Sequence, residues 1–528
     1  MIKRLHYLAV AVLFIAWGFD FLFWGKAPGI SFVLYILLCL SVGFMLAQLE
    51  GLHPARTSLW ILVPVGLFGV MTFIRSEPFT LTINYLLTLS LMALLAVTFL
   101  GGRWLHYSIS DYFAGIGKLV GSALARQVII FSDRKIPDDG NRRVFPATIK
   151  HSLPIVRGIL LTIPILFVFA ALLAAADPIF SQRLESITAL FRIEKLPEYL
   201  FRTFYILIFA YLFAGIYLHV LTASQDNRLI GYEKPWLNTF LGFTESAIVL
   251  ISVNLLFAVF VFIQFRYFFG GQANINADGF TYAEYARRGF AELVIVAFFS
   301  LLLLLGLSSI TKRETPNTRR IFSFLGILQV VLLAVILVSA FQRLLLYERA
   351  YGFTRLRTLT HVFMIWLGIL LVVLVILEFR SKLRYFAFGI LAATLGFGLT
   401  VNTLNIDAFI VNQNISRALT GSELDTDYLL ILSNDSIPPL AHIYDDVHLP
   451  DDLRNEIGAV LACRAALITE QGNLPWQSFN VADNRASKVL RSYQDKLNAY
   501  SVQKDENGRW YVKLANRKQP CSLSFWID

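Results

Sequence analysis

The chain is short of charge and of cysteine, and it lacks the brief motifs by which many enzymes hold nucleotides or metals. Only 16% of its 528 residues are Asp, Glu, Lys or Arg. Its three cysteines are too few for an iron–sulfur framework or a zinc ribbon. No Walker loop, Gly-x-Ser-x-Gly elbow, His-Glu-x-x-His pair or dinucleotide fingerprint occurs, so no catalytic residue, metal or cofactor is assigned from motifs. No basic block with interleaved aromatics stands outside the apolar segments. The net charge of +10 therefore reads as contact with anionic lipid headgroups, with no nucleic-acid partner.

What the chain has in excess is apolar length. It is 56% hydrophobic, and runs such as Leu87–Leu100, Leu160–Ala176, Ala247–Ile263, Ala291–Ile310, Ile321–Ala340 and Val362–Leu377 are nearly free of charge. A helix needs roughly 20 such residues to cross the hydrocarbon layer. The pattern predicts an α-helical polytopic membrane protein with about eleven spans, at 6–24, 29–48, 58–74, 81–100, 154–176, 199–221, 239–265, 289–310, 321–342, 358–377 and 384–401. The start has the charge order of a signal peptide but no small-x-small site, which predicts an uncleaved first span. Lys and Arg gather on the N-terminal side, above all in the 101–153 loop. The positive-inside rule then puts the N-terminus in the cytoplasm and, for an odd number of spans, the C-terminus outside a bacterial inner membrane.

Three units follow: residues 1–153 with four spans and the basic loop, 154–401 with the other seven, and a soluble α+β domain at 402–528. In the loop, Ile109, Tyr112, Phe113, Ile116, Leu119, Val120, Leu124 and Val128 recur at helical spacing, which predicts a helix in the headgroup plane. Pro137–Gly140 reads as an exposed turn. Pro178–Phe191 and Arg343–Thr358 read as amphipathic outer connections. No internal repeat is evident, which argues against an inverted-repeat transporter. In the tail, Asp425–Leu432, Pro450–Thr469 and Asn480–Ala499 read as helices. Tyr500–Gln503 and Arg509–Leu514 read as a hairpin with an Asn507-Gly508 turn, and Ser522–Ile527 as a third strand. Cys39 reads as inert filler in an apolar run. Cys463 and Cys521 can form one disulfide if the tail faces an oxidising compartment.

Five strings resemble an uncharacterised bacterial membrane family, domain of unknown function 4173. They are Ala175-Ala176-Asp177-Pro178-Ile179-Phe180, Tyr351-Gly352-Phe353-Thr354-Arg355-Leu356-Arg357, Asn405-Ile406-Asp407-Ala408-Phe409-Ile410, Asp425-Thr426-Asp427-Tyr428-Leu429 and Trp476-Gln477-Ser478-Phe479-Asn480. The resemblance runs from about 154 to 490, and it departs at Val411-Asn412, where a basic residue is usual. It implies the membrane architecture and no activity.

Candidate polar site residues are Asp177, Glu292, Arg355, Arg357 and Glu348, followed by Asp20, Glu245, Asn405 and Asp407. Asp177 could bind a cation or an amine, against the plainer reading of an N-cap before Pro178. Arg355 and Arg357 lie on the expected outer side, so they could pair with Asp177 or Glu348 or bind a lipid phosphate, against simple snorkelling. Glu292 is the preferred in-span carboxylate. Asn254 and Gln329 suit interhelical hydrogen bonds, and His361 suits packing. His442, Asp445, Asp446 and His448 match no common zinc spacing and read as a solvated turn. Three functions are compatible with this layout. The first is a sensing, binding or scaffold protein whose outer domain meets an envelope protein or a lipid headgroup. The second is a transporter or lipid translocator. The third, a lipid-linked glycosyltransferase, ranks last because the first outer loop, Gly25–Gly29, lacks a carboxylate.

Overall fold

The computed structural model describes residues 5–133, 196–225, 239–277, 290–380, 382–472, 474–513 and 518–521, with scattered positions between 162 and 180. Among them, ten helices are long and apolar enough to cross a membrane. The chain is a polytopic membrane protein. Most of the expected span at 154–176, the Pro137–Gly140 turn and most of the 178–191 connection lie outside the described residues.

The first bundle holds α1 (Leu5–Phe23), α2 (Ile30–Leu49), the pair α3 (Arg56–Leu59) and α4 (Leu62–Ile74), α5 (Pro78–Thr98), α6 (Ile109–Asp133) and α7 (Leu196–Thr222). One apolar cluster joins α1, α2, α4, α5 and α7. The helix α6 is not simply a headgroup float. Its stripe divides, with Phe113, Ile116, Val120 and Leu124 exposed, while Leu119 and Ala123 turn inward. Gln127 Nε2 donates to the Tyr211 carbonyl and Ser122 Oγ meets His219 Nδ1 at 2.8 Å, so α6 lies along α7. A Cβ at Gly215 would sit 2.4 Å from the Ser122 carbonyl, so this crossing requires glycine.

The second bundle holds α8 (Phe243–Ala277), α9 (Phe290–Ile310), α10 (Pro316–Tyr351) and α11 (Arg355–Phe379), packed through a separate cluster. Thr315 caps α10 in a reciprocal capping box with Thr318, with Pro316 opening the helix. The amphipathic connection expected over 343–358 is absent. Instead α10 continues to Tyr351 and α11 begins at Arg355, leaving a corner of Gly352–Thr354, with Gly352 at φ 85°. At 36 residues, α10 is about 54 Å long against a hydrocarbon layer of about 30 Å. It therefore carries this corner well beyond the apolar layer.

The last span, α12 (Phe386–Leu404), ends at Asn405, whose φ of 50° breaks the helix and starts α13 (Ile406–Leu419). The C-terminal unit continues with α14 (Thr426–Ile431), α15 (Ile437–Tyr444), α16 (Asp451–Gln471), α17 (Val481–Ser492) and α18 (Gln494–Leu497). A sheet of β1 (Val502–Lys504), β2 (Trp510–Lys513) and β3 (Lys518–Pro520) closes it, antiparallel in the order β1-β2-β3. The third strand thus precedes the segment expected for it, since 522–527 lies outside the described residues. The turn also differs. A two-residue Asn-Gly turn needs positive φ at both positions, and here only Gly508 has it. Asp505 Oδ1 accepts from the amides of Asn507 and Arg509, which builds a longer, side-chain-stapled turn. Cys463 and Cys521 are disulfide-bonded, tying α16 to the end of β3. The core of this unit is continuous with Leu359, Val362 and Val401 of the spans.

Candidate functional site: the joint between bundle and C-terminal unit

The sequence places polar residues where spans end, and the fold gathers several of them under the C-terminal unit. Asp407, in the first turn of α13, has 0% exposure. Arg355 opens α11 and forks onto it, with Nε to Oδ1 at 2.8 Å and Nη2 to Oδ2 at 2.6 Å. The Ser433 amide adds a third donor at 2.6 Å. The backbone amide of Arg355 donates to the Tyr428 hydroxyl at 2.7 Å. Glu77 approaches Arg355 at 3.5 Å while capping α5, where it accepts from the amides of Phe79 and Thr80 ahead of Pro78. The expected partners of Arg355, Asp177 and Glu348, are therefore replaced by Asp407 and Glu77. The reason is the short corner, which brings the start of α11 against α13.

Three further contacts complete the joint. Ser76 donates its amide to Asp435 Oδ2 at 2.7 Å, and Arg75 lies 3.6 Å from Asp435 Oδ1 while donating to the Asn402 carbonyl. Burial pushes the Asp435 carboxyl above the usual carboxylate range, against the pull of Ser76 and Arg75. Asn414 clamps Phe353 twice, accepting from its amide at 2.7 Å and donating to its carbonyl at 2.9 Å, and Arg417 caps α10 at the carbonyls of Arg349 and Ala350. At the first loop, Ile30 donates to the Phe479 carbonyl at 3.0 Å and Ser478 to the Ala27 carbonyl at 2.7 Å. A Cβ on Gly29 would lie 2.6 Å from the Phe479 carbonyl oxygen, so the approach demands glycine. Asn480 caps α17 and donates to the Arg75 carbonyl. Within the spans, Asn84 and Asn402 exchange amide hydrogen bonds.

The other candidates disperse. Asp20 is held by Arg202 and Tyr205 on α7. Asp177 accepts from the Ile179 amide at 2.8 Å, the geometry of a cap. Glu245 and Glu292 are exposed in the first turns of α8 and α9, where the helix dipole favours a carboxylate. Arg357 donates to the Gly352 carbonyl and lies over the Tyr347 ring. Glu348 meets His361 at 3.2 Å. Asn254 and Gln329 donate to the carbonyls of Leu325 and Ser300. Asp445 binds Lys496 and Tyr493, and Asp446 accepts from the His448 amide. The arrangement brings Arg355, Asp407 and Asn405 to one joint and leaves Asp177 and Glu292 outside the contacts described for it. Sequence reasoning missed Arg75, Ser76, Glu77 and Asp435, although Glu77-Pro78 carries the signature of a helix start.

Away from the joint, a groove of about 750 Å³ opens between α16, α17 and the hairpin. Tyr500, Val502 and Lys504 line it from alternate positions, with Glu470, Arg491 and Trp510 around them. The helix α17 connects the two places: Asn480 at its start touches the bundle, and Arg491 near its end lines the groove about 17 Å away.

A family model described as a domain of unknown function (DUF4153) matches residues 62–443. Its number differs from that of the family the five strings resemble, and it extends into the N-terminal spans while stopping short of the fifth string. No curated protein and no solved structure matches the chain.

Proposed function

The chain belongs to the DUF4153 family, and on that footing we propose that it is a membrane-anchored scaffold that presents its C-terminal unit to an envelope protein outside the cytoplasm. The observation that carries this reading is the joint. Each loop that reaches the C-terminal unit is bonded to it by backbone or charged groups, so the unit is held in one orientation while its groove stays open. A polypeptide segment suits that groove, which mixes apolar walls with Glu470, Arg491 and Lys504 and is bordered by the edge strand β1.

The disulfide supports an oxidising compartment for this unit. The opposite end of the bundles carries Arg103, Lys312, Arg313, Arg319, Arg320, Arg380, Lys382 and Arg384, in keeping with a cytoplasmic face of a bacterial inner membrane. On the C-terminal side Arg75, Arg202 and Arg355 are each paired with carboxylates.

Two measurements test the reading together. A reporter fused after Asp528 should be active only outside the cytoplasm. A photocrosslinker at Arg491 should give one discrete protein adduct, absent when it is placed at the exposed Val447. Cytosolic reporter activity, or identical adducts from both positions, would refute the proposal.

A further inference from the structure

We propose that Glu348 and His361 form a buried proton-binding site beneath the corner between α10 and α11. Glu348 is 1% exposed, and its Oε2 lies 3.2 Å from His361 Nδ1. The other atom of each group has no hydrogen-bond partner: Glu348 Oε1 and His361 Nε2 are both buried, as is Thr358 Oγ1 one turn earlier on α11. Native interiors seldom leave such buried polar atoms without a role. The Phe341 ring packs edge-on at 4.4 Å against the imidazole, giving the site an apolar wall.

The surroundings offer no neutralising cation among the described residues, because every nearby basic group is either engaged elsewhere or turned to solvent. Arg343 on α10 donates to Gln264 of α8. Arg357 on α11 lies over Tyr347 and donates to the Gly352 carbonyl. Arg355 is forked onto Asp407, and Arg417 of α13 is spent on the carbonyls of Arg349 and Ala350. Arg349 is exposed, and so is Glu292, the acidic group in the first turn of α9. With neutral imidazole donating from Nδ1, the pair carries one net negative charge in a low-dielectric site, which is costly. Transfer of a proton from hydronium onto the Nε2 lone pair breaks one O–H bond and releases water, converts the ring to imidazolium and leaves a neutral ion pair. The only bond formed is N–H.

The site is also placed to be felt outside the membrane layer. The Glu348 carbonyl accepts from the Gly352 amide, and α13 grips the same corner at Arg349, Ala350, Phe353 and Arg355.

The test counts protons on the full chain in lipid nanodiscs. Acidified from neutral to mildly acid pH, the wild-type chain should bind one proton more than His361→Asn, and Glu348→Gln should lower uptake in the same way. Ring-nitrogen NMR of the wild type, with the His361 signal identified by its loss in His361→Asn, should show that ring passing from neutral to doubly protonated. Equal uptake by wild type and both variants overturns the proposal. If the variants fail to fold, a ring-labelled chain in which the other seven histidines are replaced by Asn decides alone, and a His361 ring that stays neutral throughout overturns the proposal.

Discussion

Two nearly fully buried carboxylates stand on either side of one short corner, and their surroundings could hardly differ more. Asp407 belongs to the joint, and both its oxygens are taken, by two guanidinium nitrogens and an amide. Glu348 belongs to the second bundle, and one of its oxygens has no partner. A saturated charge of the first kind fixes register, because any displacement exposes an uncompensated ion. A half-satisfied group of the second kind can still take a ligand. The contrast separates the part of the molecule that holds a position from the part that can change state.

The sharpest way to break the comparison is Asp407→Ala. It leaves the Arg355 guanidinium partly buried with Glu77 at 3.5 Å as its remaining carboxylate and the Ile431 carbonyl at 3.2 Å, and losing one member of such a pair costs about 3–5 kcal/mol. The C-terminal unit should come loose, seen as protease cleavage after Asn405 that the wild type resists. Glu348→Gln should leave that protection intact. If the two variants behave alike, the distinction between the two carboxylates fails.

Next in size is Gly29→Ala. The new methyl would press on the Phe479 carbonyl at 2.6 Å, an overpacking cost of about 1–3 kcal/mol. Trp476 packs at a tilt against Phe21 beside this contact, so its fluorescence should change with docking. Asn414→Ala is expected to cost a similar or smaller amount, about 1–3 kcal/mol, because it strands both the amide and the carbonyl of Phe353. Hydrogen exchange at Phe353 should then accelerate, while exchange within α16 stays slow.

Much of the architecture was legible because crossing a bilayer needs about 20 consecutive apolar residues, a run that the sequence displays directly. The joint was legible only in part. Arg355, Asp407, Tyr428 and Asn480 all sit in the short strings that stand out in the sequence, and the fold brings the first three into one network. Their pairing could not be read, since it depends on where α10 ends. The charged stretch 343–358 reads as an amphipathic outer connection, yet the apolar Leu344–Leu346 and the buried Glu348 keep its first part within α10 and packed. Asp177 shows the opposite case. A local cap needs no tertiary information, and Asp177 before Pro178 is bonded as that spacing implies. Glu292, chosen for its position within an apolar run, lies at a helix start and faces outward. An apolar run marks a span but not the face each residue presents, and at a helix start a carboxylate is favoured by the free amides and the dipole.

The smallest effect sharpens the comparison by sign instead of size. Burial holds the Asp435 carboxyl of the joint above the ordinary range, so the folded chain binds that proton more tightly than the unfolded one. Its contribution is present below the ordinary aspartate pKa and lost as pH rises through the raised value. Asp445, on the open face, is held below the ordinary range by Lys496 and Tyr493. Its contribution is present above the ordinary pKa and lost as pH falls through the lowered value. Melting the full chain in detergent across mildly acid to acid pH should therefore give opposite changes in slope for Asp435→Asn and Asp445→Asn. The Asp445 change should be the weaker one, and salt should erase it first because solvent reaches that pair. Slopes of the same sign would mean that the joint does not shield Asp435 from water, and the rigid presentation of the groove would lose its physical basis.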